Sequence, residues 1–202
     1  MSDIKSLLEK NEDWAEQVQD TNPELFETLS KGQSPEYLWI GCADSRVPPD
    51  VIVDLPPGSL FVHRNIANVI SASDINALSV IQYAVQVLKV KHMVVCGHYG
   101  CGGVKAAMEP EDRGLIEHWL ENIRKVYRAH QAELEQISDE QERHDRYCEL
   151  NVMEQVANMT QIPFVRQAWD AGQELQVHGL IYDLQSGRLK DLQVSVQEAG
   201  TS

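Results

Sequence analysis

The chain has 202 residues, with 17 Lys and Arg against 31 Asp and Glu and a formal net charge of −14 at pH 7. That length suits one domain with a sizeable core, and so acidic a chain with no Lys/Arg-rich run argues against nucleic acid or an anionic membrane as partner. No apolar run approaches the ~18 residues that a bilayer span needs, and the acidic, amphipathic start MSDIKSLLEKNEDW is unlike a signal peptide, so the expectation is a cytoplasmic protein.

In chain order, apolar residues at Ile4, Leu7, Leu8, Trp14, Ala15 and Val18 keep a helical rhythm over 3–18, and Pro23 opens a second short helix that ends at Gly32. Residues 37–41, YLWIG, read as a buried strand, and SLFVH at 59–63 as another. Asp74 caps a long helix, INALSVIQYAVQVLK, with an expected core stripe of Ile75, Leu78, Ile81, Val85 and Leu88. HMVVCGH at 92–98 is a strand running into a glycine-rich turn. Helical patterns follow over about 101–108, 114–134, 139–160 and 163–171, and the strands ELQVHGLIYDL and RLKDLQVSV close the chain around a QSG turn. Strands alternating with helices, several of them near-continuously apolar, predict an α/β domain with a mainly parallel central sheet and flanking helices. The last hairpin predicts an antiparallel edge strand. The division expected is an N-terminal helical arm, 1–32, and one α/β domain, 33–202.

Chemistry concentrates at two strand ends. GCADSRVPPD (41–50) places Cys42, Asp44 and Arg46 at alternate positions, which on an extended segment would share one side. CGHYGCGG (96–103) offers His98 and Cys101 on the turn leaving a strand. Ligand sites of open α/β sheets lie at the carboxyl ends of strands. Cys42, Asp44, His98 and Cys101 are therefore able to converge on one cation, and two thiolates with an imidazole select zinc over magnesium or calcium. The residues alone leave open an unrelated pair of polar turns or a closed structural site with four ligands. A C-x-x-C redox pair is absent, as is the histidine–glutamate and paired-cysteine pattern of zinc deaminases. Cys96 and Cys148 read as small buried hydrophobes.

CADSRVP followed by GHYGCGG resembles the β-class carbonic anhydrases, and the similarity extends through PGSLFVHRNIAN, SVIQYAV and ELNVMEQVANM, over nearly the whole chain. The resemblance implies reversible hydration of carbon dioxide to bicarbonate and a proton by attack of zinc-bound hydroxide, with one Zn2+ per chain. It implies Cys42, His98 and Cys101 as zinc ligands and Asp44 with Arg46 as the catalytic pair. Asp44 would accept the proton of the hydroxide, and Arg46 would hold Asp44 off the metal. It implies a substrate pocket of Gln33, the Gly102 N–H, Phe61, Ile66 and Tyr83, partly completed across a homodimer built partly by the N-terminal helices, alone or as a dimer of dimers. Trp39, Arg64 and Tyr182 match the noncatalytic bicarbonate site of one subgroup, in which Asp44 closes onto zinc as a fourth ligand. The histidines at 63, 92, 118, 130, 144 and 178 offer no single proton shuttle. The chain stops at QEAGTS, short of the C-terminal helix of longer members, which bears on dimer against tetramer. Rival activities are hydrolysis of carbon disulfide or carbonyl sulfide on the same fold, and a noncatalytic zinc-stabilised bicarbonate sensor.

Overall fold

The computed structural model describes residues 3–109 and 111–197, and its chain falls into two units that meet between Ser34 and Pro35 in sequence. In the first unit, α1 (Ile4–Thr21) starts where the Asp3 carboxylate accepts the Ser6 N–H at 2.8 Å, which satisfies one of the free donors of a helix start. It is followed by α2 (Leu25–Ser30), and Trp14 meets Phe26 edge to face at 5.7 Å. Two helices this small have nowhere to bury an apolar stripe, and Ile4, Leu7 and Leu8 stay more than half exposed.

In the second unit five strands form one sheet: β1 (Tyr37–Cys42), β2 (Leu60–Asn65), β3 (His92–His98), β4 (Gln176–Asp183) and β5 (Arg188–Asp191). Their order is β2-β1-β3-β4-β5, with the first four parallel and β5 antiparallel to β4. This is the predicted architecture, and the apolar strands β1 and β3 are buried along almost their whole length. Alternate residues of β1 serve opposite faces. Leu38 and Ile40 join the main core with Met93, Val95 and Val177, whereas Trp39 packs on the other side with Val94 and Cys96.

The helices after β1 are α3 (Pro49–Ile52), α4 (Ile75–Gln82), α5 (Gly102–Met108), α6 (Ile116–Ala129), α7 (Gln131–Leu134), α8 (Glu140–Thr160) and α9 (Pro163–Asp170). The Asp139 carboxylate accepts the Glu142 N–H at 2.9 Å and caps α8, which packs on β3 and β4. Among the described residues no helix is long and apolar enough to cross a membrane.

Three details depart from expectation. Ile75 is 81% exposed, and the buried face of its helix is Ala77, Ile81, Ala84 and Val85. After Gln82 the helix widens into a π turn over Tyr83–Leu88, which shifts the phase of a stripe counted at 3.6 residues per turn. The short α3, opened by Pro49, was not anticipated. The last strand ends at Asp191, because Gln193 takes a left-handed backbone (φ 58°), and pairing resumes only at a bridge between Val177 and Val196. The π turn and the left-handed Gln193 are local conformations that side-chain period does not record.

Gly179 on β4 lets α8 lie close. A Cβ there would stand 2.6 Å from Val194 Cγ2 and 3.1 Å from Val156 Cγ2. Overpacking of this kind costs about 1–3 kcal/mol. Gly179→Ala is therefore expected to lower the urea midpoint of the metal-loaded protein with little change in the slope of the transition.

Candidate metal centre

The strand order places the site. From β1 the chain moves outward to β2, then crosses back so that β3 lies on the other flank of β1. Neighbouring connections diverge between the carboxyl ends of β1 and β3, the crevice where open parallel sheets take ligands. Cys42 is the last residue of β1 and His98 the last of β3. Gly100, with φ 66°, turns the chain so that Cys101 returns as the residue before α5.

One ligand atom from each of Cys42, His98 and Cys101 lies within 4.8 Å of the others, and all three residues are buried. The two sulfurs are 3.9 Å apart. Tetrahedral zinc with Zn–S bonds of about 2.3 Å sets its sulfurs about 3.8 Å apart. His98 Nδ1 donates to the Tyr99 carbonyl at 2.9 Å, because a carbonyl only accepts, and this leaves the Nε2 lone pair free. That Nε2 is buried and without a hydrogen-bond partner. An orphaned imidazole nitrogen facing two close sulfurs is the donor set of a zinc site, so the residues fit the ion. Without a cation the two sulfurs compete for a proton. The bond from the Cys101 thiol, above all, lowers Cys42 against the effect of burial, and the same bond, with burial, drives Cys101 up. Cys96 and Cys148 are buried as expected, and desolvation raises both; neither is part of the cluster.

Asp44 and Arg46 meet, though not by alternation along a strand. The Val47 N–H bonds to the Asp44 carbonyl at 3.1 Å, so residues 44–47 form a turn, which folds Arg46 back over Asp44. Arg46 Nε and Nη2 then grip the two carboxylate oxygens at 2.9 and 2.7 Å, and the Arg46 N–H adds a third bond at 3.0 Å. These bonds, the Arg46 side chain first, hold Asp44 well below the ordinary carboxylate range. Asp44 Oδ2 nevertheless stands 3.7 Å from His98 Nε2. A carboxylate thus lies at the edge of the cluster, ionised and clamped.

The remaining predicted residues separate. Phe61 and Tyr83 face each other at 5.7 Å, and Ile66 packs over Gly103, where a Cβ would meet Ile66 Cγ2 at 2.6 Å. Tyr83 and Ile66 are exposed, at 44% and 39%. Gly102 opens α5, and Gln33 is exposed in the segment after α2. Trp39 and Tyr182 share an apolar cluster on the sheet face away from the main core. The Trp39 indole lies across Gly41, and its buried N–H has no partner. Arg64 is not a surface ion pair. Its Nε donates to the Cys42 carbonyl at 2.8 Å and its Nη2 to the Asp44 carbonyl.

Sequence reading missed the residues behind the ligands. The Ala67 N–H donates to Cys42 Sγ at 3.4 Å, and His144 Nε2 donates to the Cys101 carbonyl at 3.1 Å. Tyr99, whose carbonyl orients His98, gives its hydroxyl to Glu149 at 2.6 Å. Burial alone would raise the Glu149 carboxyl, but bonds from Lys190, Tyr99 and Arg146 outweigh it and leave the group below its ordinary value. The available signal was polar residues recurring along α8 at positions too buried for them.

A family model described as carbonic anhydrase matches residues 37–189. The carbonic anhydrase of Emericella nidulans is 50% identical over 93% of this chain and 82% of its own, and that of Candida albicans 35% identical over 98% and 70%. Among solved structures, one of two tetrameric β-carbonic anhydrases from Sordaria macrospora superposes with a TM-score of 0.92 at 43% identity, covering 96% of this chain and 98% of that one. A Coccomyxa β-carbonic anhydrase in complex with acetazolamide gives 0.94 at 39% identity, over 98% and 90%.

Thiolate ligands must lose protons to bind, so acidification is expected to release the metal. Cys101→Ser is expected to abolish tight retention of zinc, read as metal per chain after gel filtration. A fully loaded variant would remove Cys101 from the ligand set.

Proposed function

The chain belongs to the β-class carbonic anhydrases, enzymes of carbon dioxide hydration, and on that premise we propose that it works through one zinc ion held by Cys42, His98 and Cys101. The observation that carries this reading is the buried cluster of two sulfurs and an orphaned imidazole nitrogen beside a clamped carboxylate. When bound, zinc makes water a nucleophile near neutral pH. Asp44 serves as acceptor for the O–H of that nucleophile and so aims a lone pair at the substrate carbon. Being ionised throughout the neutral range, Asp44 is always able to accept. Arg46 keeps it so and keeps its oxygens off the metal. Gln33 and the Gly102 N–H serve as donors to substrate oxygen, and Phe61, Ile66 and Tyr83 form an apolar wall suited to a linear nonpolar gas.

Assembly belongs to the same reading. The Sordaria relatives are tetrameric, and the bare apolar stripe of α1 suits burial against another copy in a homodimer or dimer of dimers. The location proposed is the cytoplasm.

Regulation by pH and bicarbonate is the finer part of the proposal. Trp39, Arg64 and Tyr182 supply an unpartnered indole N–H, a guanidinium and a hydroxyl as donors for a planar anion. Arg64 also holds the carbonyls of Cys42 and Asp44. An anion that drew Arg64 away would loosen the turn that keeps Asp44 clamped, and Asp44 would close onto zinc as its fourth ligand. Bicarbonate then favours the closed state because it binds that state better. Higher pH would favour the Asp44 carboxylate staying on Arg46, and so would open the site.

Three expectations test the proposal. Arg46→Ala is expected to keep one zinc per chain and lose most carbon dioxide hydration; wild-type turnover in that variant would remove the clamp. Activity of the unmodified enzyme is expected to fall below about neutral pH more steeply than one ionisation allows, with bicarbonate deepening the loss. Trp39→Phe is expected to blunt the bicarbonate effect with zinc still bound. A single-proton profile, with bicarbonate inhibition equal in both proteins, would leave an unregulated enzyme.

A further inference from the structure

The segment after β2 takes a conformation that side chains resist. Ala67 and Asn68 both have left-handed backbones, with φ 61° and 48°, although neither is glycine. Both are buried, at 0% and 2% exposure. The same turn points the Ala67 N–H at the Cys42 sulfur. What holds it is a row of amides on α8. Asn151 Nδ2 donates to the Ala67 carbonyl at 2.9 Å. Gln155 Nε2 donates to Asn151 Oδ1 at 3.2 Å, and Gln155 Oε1 accepts the Ile70 N–H at 2.8 Å. Asn158 Nδ2 closes the row on Gln155 Oε1 and the Ile70 carbonyl. Positions 151, 155 and 158 are spaced to share one helix face. At the near end of the loop, the Asn65 side chain takes the Val69 N–H and donates to the Val69 carbonyl, both at 2.8 Å.

Fully buried amides are placed here at a cost, and apolar residues would fill a helix face more cheaply. Part of the return is that Ala67 and Ile70 keep their buried backbone groups paired. The left-handed turn these amides hold directs one hydrogen bond to the cluster, the Ala67 N–H on the Cys42 sulfur. A hydrogen bond to a thiolate withdraws charge from it. Two thiolates cancel the formal charge of a zinc ion, so any charge withdrawn from one of them restores some of its power to acidify water.

We infer that Asn151, steadied by Gln155, is a positioning residue for the metal: it holds the Ala67 turn so that the Ala67 N–H tunes the Cys42 thiolate. The inference rests on the zinc reading above and goes beyond it to a residue that touches neither metal nor substrate. Asn151 acts through its Nδ2 donor. Asn151→Asp keeps size and shape but replaces that donor with an acceptor against the Ala67 carbonyl. Gln155→Glu is the milder change, which keeps the acceptor for Ile70 and removes the donor to Asn151.

The experiment uses zinc-loaded protein and a cobalt-substituted form. Asn151→Asp is expected to lose zinc to excess chelator about tenfold faster than the unmodified protein, the scale found for groups behind metal ligands. Its activity midpoint is expected to move to higher pH, its sulfur-to-cobalt charge-transfer band to longer wavelength, and its Ala67 amide to exchange faster. Gln155→Glu is expected to show the same shifts to a smaller degree, and carries the test if Asn151→Asp does not fold. Trp169→Phe on α9, which leaves the Leu175 carbonyl without its indole donor, supplies a destabilised comparator expected to move none of the four. Folded Asn151→Asp or Gln155→Glu with unchanged chelator rate, pH midpoint and cobalt band would overturn the inference. An unmodified protein that retains no zinc would overturn the functional reading instead.

Discussion

Two cysteine sulfurs 3.9 Å apart in a buried place are the constraint from which the rest of the structure follows. Thiolates so close repel each other, and burial denies them the water that would screen the repulsion. The arrangement is tolerable only with a shared proton or a cation between them, and the free His98 nitrogen turns the choice toward a cation. The surroundings answer the same charge. Arg46 and Arg64 bring two guanidinium groups to the turn after β1, one on the carboxylate of Asp44 and one on the backbone carbonyls beside it. In a chain with net charge −14, cations are scarce, and two of them are spent here.

The sheet supplies position and α8 supplies support. Parallel strands whose order reverses at β1 and β3 bring Cys42 and His98 to adjacent ends without any contact between their side chains being needed to do so. Fixing the ligands is a separate task. His144, Glu149 and Asn151, all on α8, reach respectively the Cys101 carbonyl, the hydroxyl of the residue that orients His98, and the carbonyl of the residue that bonds Cys42. One helix therefore stands behind all three ligands, and among its buried residues His144, Glu149, Asn151 and Gln155 are polar.

Much of this was legible in the sequence, for identifiable reasons. Buried parallel strands announce themselves as apolar runs, so β1 and β3 were found nearly to the residue. Cys42, His98 and Cys101 stood at strand ends beside glycines, where few chemistries compete. The side-by-side placing of Asp44 and Arg46 was right in outcome and wrong in cause, because a turn, not an extended segment, folds the pair together. Ile75 misled because six residues of ordinary α-helix separate it from the buried Ile81 and set the two on different faces. Asn151 and Gln155 lie in a stretch whose letters show a helical pattern and no role for either amide. Their partners are backbone groups more than 80 residues away, and a backbone carbonyl has no letter in the sequence.

That separation bears on how the protein is made. The three ligands lie between residues 42 and 101, whereas the groups behind them lie between 144 and 151. Chains emerge from the ribosome at about 5–20 residues per second. For some seconds, then, a nascent chain presents every metal-binding side chain before the helix that fixes them exists. A metal ion that met the nascent chain in that interval would find its three side chains without the contacts from α8 that fix them in the finished protein.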